Sequence, residues 1–123
     1  MPGSLEDLET FMDANGSALE GLDPDLSEDM AAALVAEHYG DKPFCLVSHW
    51  SLLTMKDVPA PLLYAEYVIY DSQGRFRSGD WVRSSPAIAH WEKGMFETRN
   101  TVYVLLGAGH AKTVSAEMVL GLH

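Results

Sequence analysis

The stretch GDWVRSSPAIAHWEKGMFETRNTVYVLLGAG, Gly79 to Gly109, carries the densest run of β signals in the chain and decides its fold class. Successive side chains in a strand point to opposite sides, so Ala87, Ala89 and Trp91 would share one face with Ile88 and His90 on the other. Trp91-Glu92-Lys93-Gly94 reads as a turn with glycine at a positive-φ position, after which Met95 to Thr98 returns as a strand. A second reversal is expected at Arg99-Asn100, because asparagine tolerates the left-handed region. Thr101 to Leu106, rich in β-branched and aromatic residues, reads as a buried strand that Gly107 and Gly109 end. Upstream, Gly79 to Arg83 starts a strand, and Pro86 suits an edge because it cannot donate to a ladder. The pattern is that of a meander.

On the N-terminal side of this stretch, Leu62 to Tyr70 is the longest strand candidate and runs into the turn sequence Asp71-Ser72-Gln73-Gly74. Pro43 to Leu53 alternates as a strand, placing Phe44, Leu46, Ser48 and Trp50 on one side and Cys45, Val47 and His49 on the other. Ser4 with Asp7 resembles a capping box, and Leu5, Leu8 and Met12 follow at helical spacing as far as Asn15-Gly16. Ser17 to Leu26 reads as a loop. A second helix begins between Asp23 and Ser27, puts Leu26, Met30, Leu34 and His38 on one stripe, and closes at Tyr39-Gly40. Thr113 or Ser115 would cap a short helix reaching Leu122.

The expected architecture is α+β: two N-terminal helices packed on a twisted antiparallel β-meander or small partly open barrel of five or six strands, with a short C-terminal helix. Residues 1–123 form one domain in this reading, an acidic helical segment over 1–41 and a mainly β portion over 43–123. Trp81, Ile88, Val102, Val104 and Leu106 are expected in the core.

A chain of 123 residues, 47% of them hydrophobic, can bury a core of its own. With Cys45 as the single cysteine no internal disulfide can form. No basic segment leads into an apolar one at the start, and no apolar run approaches the roughly 18 to 20 residues that span a bilayer. The expected location is the cytoplasm.

The formal net charge of −10 is unevenly placed: residues 1–41 hold eleven acids and no lysine or arginine, whereas the rest of the chain carries +1. Such a field repels nucleic acid and anionic membrane and steers toward a basic protein surface. Glu6, Asp13, Glu20 and Asp29 are the candidate partner-facing residues. The same acids could also do no more than solvate two exposed helix faces.

Catalytic and cofactor motifs fail on spacing. Leu105 to Thr113, LLGAGHAKT, has the context of a phosphate loop, but Ala111 stands where the second Walker glycine belongs and Lys112 occupies the third glycine position of a dinucleotide fingerprint. Asp23, Asp25 and Ser27 imitate the start of a calcium loop, yet Glu28 replaces its sixth-position glycine and Leu34 its closing glutamate. Cys45 and His49, four residues apart in a strand, would be about 13 Å apart, too far to chelate one ion. No nucleophile elbow surrounds Ser84 or Ser85. No catalytic residue, cofactor or metal is expected. A ligand site built from His49, His90 and His110 around the sheet is the alternative.

The runs GDWVRSSPAIA and FETRNTVYVLLGAGHAKTVS resemble the C-terminal half of a family of uncharacterised small proteins from Pseudomonas-type bacteria and their phages. The likeness covers about residues 62–123, more weakly Phe44 to Leu53, and not the acidic helical segment. It implies a compact cytoplasmic domain and brings no catalytic residue with it. The expected function is a non-enzymatic interaction domain whose acidic face engages a basic partner, in one version a phage or mobile-element inhibitor. The alternative is a small-ligand- or metal-binding domain or minor hydrolase.

Overall fold

The structure, a computed structural model, describes residues 17–55, 58, 60–88 and 94–115. Its elements are β1 (Ser17–Glu20), α1 (Glu28–Tyr39), β2 (Phe44–Met55), β3 (Leu62–Asp71), β4 (Val82–Arg83), β5 (Met95–Glu97) and β6 (Val102–Val114). The six strands make one open, mixed sheet in the order β1-β6-β2-β3-β4, with β5 also paired to β6.

At the centre, β2 and β6 run parallel from Phe44 opposite Val102 to Met55 opposite Val114. This replaces the expected antiparallel meander. β3 and β4 follow β2 in antiparallel pairing, while the outer edge of β6 is shared end to end by β5 against its first half and β1 against its second. Backbone bonds from Gly21 to Gly107 and from Leu22 to Leu105, 2.9 and 2.7 Å, close the gap between those short strands. A parallel pair needs a long crossover, and here the crossover is made of β3, β4 and β5 rather than a helix.

Burial on both faces explains the nearly continuous apolar run Val102 to Leu106, every residue of which is buried. On one face Cys45, Val47, Trp50, Phe96 and Leu105 cluster beneath Phe76 and Ala87 of the crossover. On the other, Leu46, Val102, Val104 and Leu106 pack against Ala31 and Val35 of α1. Val102, Val104 and Leu106 are thus core, as expected. Trp81 and Ile88 are not, being 38% and 60% exposed, Trp81 next to β4 and Ile88 bonded through its N–H to the Glu97 carbonyl of β5.

The expected grouping of Leu46 with Trp50 fails because of a bulge. Between the pairs Ser48–Leu106 and Trp50–Gly109, β2 contributes His49 and β6 contributes two residues, with His49 at φ 53° and Gly107 at φ 72°. The interruption shifts the alternation, so Trp50 joins Val47 and Cys45 while Leu46 faces the helix. Gly107 and Gly109 lie inside β6 instead of ending it: the first takes the left-handed backbone of the bulge, and the second leaves room for the Trp50 indole.

One helix is found among the described residues. Ser27 caps α1 by accepting the Met30 N–H at 3.1 Å, and Gly40, at φ 67°, closes it with its N–H on the Ala36 carbonyl. Its buried stripe is Ala31 and Val35, so Met30 and His38 face water, one position out of phase with the expected stripe. Ser17–Glu20, expected as loop, is strand, and Thr113 lies in β6 rather than capping a helix. The helix expected over Ser4 to Asn15, the Trp91-Glu92-Lys93 turn residues and the chain beyond Ser115 lie outside the described residues.

Candidate functional site

The acids of residues 17–41 meet water. Glu20, Asp23, Asp25, Glu28, Asp29, Glu37 and Asp41 are all exposed, with no lysine or arginine among them in sequence. Local structure accounts for some: Asp23 Oδ1 accepts the Asp25 N–H at 2.8 Å in a turn that leads into α1, and Glu28 with Asp29 lies in the first helical turn, where the macrodipole favours anions. Glu37 and Asp41 sit at the opposite end, where the exposed carbonyls favour cations. Helix stability does not explain that placement.

Of the expected partner-facing residues, Glu20 ends β1 and Asp29 belongs to the first turn of α1, both exposed; Glu6 and Asp13 lie outside the described residues. Of the three candidate histidines, His49 and His110 lie on the neighbouring strands β2 and β6. His49 is exposed at the bulge, its ring 5.0 Å from that of Tyr67 and its Nδ1 3.2 Å from Ser48 Oγ. His110 is half-buried on β6 between Ala18 and Ser51, and His90 lies outside the described residues. Among the described residues no three His, Cys, Asp or Glu side chains come close enough to hold a metal ion.

Among the described residues, two grooves bear on the site. One, about 440 Å³, runs along the β4 edge between Phe76, Asp80, Trp81, Val82 and Arg83. The other, about 250 Å³, lies where the last turns of α1 pass the start of β2 and the turn after β3. Neither is lined by His49 or His110. Sequence reasoning missed both: the second joins segments far apart in the chain, whereas the first is lined by near neighbours, Phe76 and Asp80 to Arg83, whose groove depends on how that edge segment folds.

The polar cluster most like a reaction centre is a structural lock. Asp71, at the end of β3, accepts bonds from Arg75 Nε at 3.0 Å, Arg75 Nη2 at 2.7 Å and the Arg75 backbone N–H at 2.6 Å, while Arg75 Nη1 donates to Thr101 Oγ1 at 2.8 Å. Burial pushes the Asp71 carboxyl up, but the Arg75 bonds and charge outweigh it and hold it below the usual carboxylate range. Beside it, burial and then the Asp71 charge push the Cys45 thiol up to about 12, and Tyr103, through burial first, is also raised to about 12. A fully buried thiol that stays protonated is no nucleophile. Because the Asp71 pKa is depressed on folding, its stabilisation is present above the unfolded value of about 3.9 and is lost as pH falls through the folded value. Urea midpoints at pH 7 and pH 3 should therefore differ more for the wild type than for Asp71→Asn; equal differences would mean the pair contributes nothing.

No helix of the described residues is long and apolar enough to cross a membrane. No curated protein and no solved structure matches the chain. A family match spans residues 23–121, taking in α1 and every strand but β1, and the chain belongs to the family described as a domain of unknown function (DUF6957).

Proposed function

We propose that this domain is a non-enzymatic interaction module of the cytoplasm whose acidic surface, from Glu20 to Asp41, engages a basic protein partner. The observation that carries the reading is that seven acids of one segment are exposed without a lysine or arginine among them. Acids at the carbonyl end of α1 add to it, because they are set against the local dipole. The likeness to small proteins of Pseudomonas-type bacteria and their phages favours a specific version, a phage or mobile-element inhibitor that covers the nucleic-acid-binding surface of its target.

The test begins with a partner recovered from host cells by crosslinking. Replacing Glu20, Asp25, Asp29 and Glu37 by lysine should slow its association at least tenfold, because steering raises encounter rates by about 10 to 10³. The wild-type rate should also fall as salt is raised, as the Debye length is about 8 Å at physiological ionic strength. Exposed reversals normally shift stability by no more than about 0.5 kcal/mol each, so an intact thermal transition separates binding from folding. A rate indifferent to both changes would leave the acids as a solvated face only.

A further inference from the structure

The cleft at the carbonyl end of α1 brings together features that no single acid provides. Its walls are apolar, from Ala32, Val35 and Ala36 of the helix and Phe44 of β2, and Asp41 and Gln73 stand among its polar residues. The last carbonyls of α1 lack intrahelical partners and give this end a partial negative charge. Gly40 donates its N–H to Ala36, which satisfies one of these carbonyls. Asp41, exposed, adds a full negative charge just beyond the helix, and exposed Glu37 in the last turn of α1 lies outside the lining but adds to the field of this end.

The neighbouring cation does not neutralise them. Lys42 also borders the cleft, but its Nζ donates to Glu97 Oε2 at 2.7 Å and to the Thr98 carbonyl at 2.6 Å, so its charge is committed to β5 and the turn that follows. The site is thus a cleft of about 250 Å³, apolar on the side of Ala32, Ala36 and Phe44 and polar on the other, with the Asp41 carboxylate in its lining. A long aliphatic stem with a cationic head matches both parts, the stem lying on alanine and phenylalanine while the head stays by the Asp41 carboxylate.

We infer that this cleft receives a lysine or arginine side chain of the basic protein partner and is the anchor point of the acidic surface. The inference rests on the reading of that surface as a partner-facing one and adds where the contact is centred. Steering by the remaining acids sets the encounter rate, whereas the anchored side chain sets the lifetime of the complex.

The probe is an acetylated, amidated heptapeptide of alternating glycine and lysine, titrated at low salt into the full chain, with a norleucine analogue as its uncharged counterpart. Asp41→Asn removes the charge at the mouth, and Ala36→Leu fills the slot on an exposed helical position that leucine tolerates. Each should weaken binding about tenfold, the effect of about 1.4 kcal/mol. The pair Glu28→Gln with Asp29→Gln, at the other end of α1, should weaken it no more than about threefold, as expected of charges that act at a distance through screened solvent. The norleucine peptide should not bind, and the lysine peptide should shift the amide resonances of Gly40 and Asp41. Binding that survives Asp41→Asn and Ala36→Leu but is lost in the Glu28/Asp29 pair would overturn the cleft while leaving the acidic surface standing. Equal binding of the norleucine peptide would overturn the need for a cation. Failure of the lysine peptide to bind the wild type at all would remove the acidic-surface reading and the cleft together.

Discussion

Trp50→Ala is expected to destabilise the domain by about 3 to 5 kcal/mol, read as a fall in the urea midpoint with the transition slope unchanged. Trp50 is the largest fully buried side chain among the described residues and sits where β2 and β6 pair, with its indole N–H donating to the Gly107 carbonyl at 3.2 Å. Truncation would leave a cavity at the parallel pair that organises the sheet, and it would remove one of the two donors to the Gly107 carbonyl, which keeps the Gly21 N–H. Phe96 and Tyr103 of the same face meet edge to face, 6.4 Å apart, and cannot follow the void without breaking that contact. A midpoint close to wild type would mean that this side of the sheet is not the principal core.

The elements that local chemistry specifies were legible in the sequence. Ser27 and Gly40 bound α1 because one supplies a capping oxygen and the other a positive φ, and both signals are written in single residues. The turn at Asp71 to Gly74 and the reversal between Thr98 and Thr101, closed by a 2.8 Å bond, follow the same logic. Strand partners are not written this way. Nothing in Phe44 to Met55 names Val102 to Val114 as its neighbour, and an alternation rule favours the antiparallel hairpin by default. The two faces of this sheet are both covered, so the apolar run of β6 carried no alternation from which an orientation could be read.

The bulge was hidden for a related reason. Glycines near an apolar run suggest its end, yet Gly107 and Gly109 continue β6 because a histidine on β2 takes the matching irregularity at φ 53°. Histidine is among the few side chains enriched in that region, and only the pairing reveals that it is used. As for the candidate site, the charge of the first 41 residues could be counted directly, and its described acids prove exposed. The cleft could not be foreseen. It exists only because α1 ends beside the start of β2 and the turn after β3, three segments that close on one another through packing on Leu46 and Val102. Likewise, the commitment of Lys42 to Glu97 spans 55 residues of sequence.

Gly109→Ala should cost about 3 kcal/mol, near the upper end of what overpacking usually imposes, although it adds a single methyl group. The Gly109 backbone is not at fault, because it has no positive φ and a strand accepts alanine readily. The obstacle is Trp50: a Cβ at position 109 would press far inside van der Waals contact against Cδ2, Cε2 and Cε3 of its indole. The indole cannot simply swing aside, since it is buried, hydrogen-bonded to Gly107 and packed among Val47, Leu52 and Leu105. This makes a double-mutant cycle decisive. In a chain that already carries Trp50→Ala, the new methyl group meets open space and relieves the entropic cost of glycine, so Gly109→Ala should there be neutral or stabilising by up to about 1 kcal/mol. The two substitutions should therefore fail to add by about 3 kcal/mol or more, well beyond the few tenths expected of independent sites. Additive losses would place the Trp50 ring away from Gly109 and remove the reason for a glycine in the middle of β6.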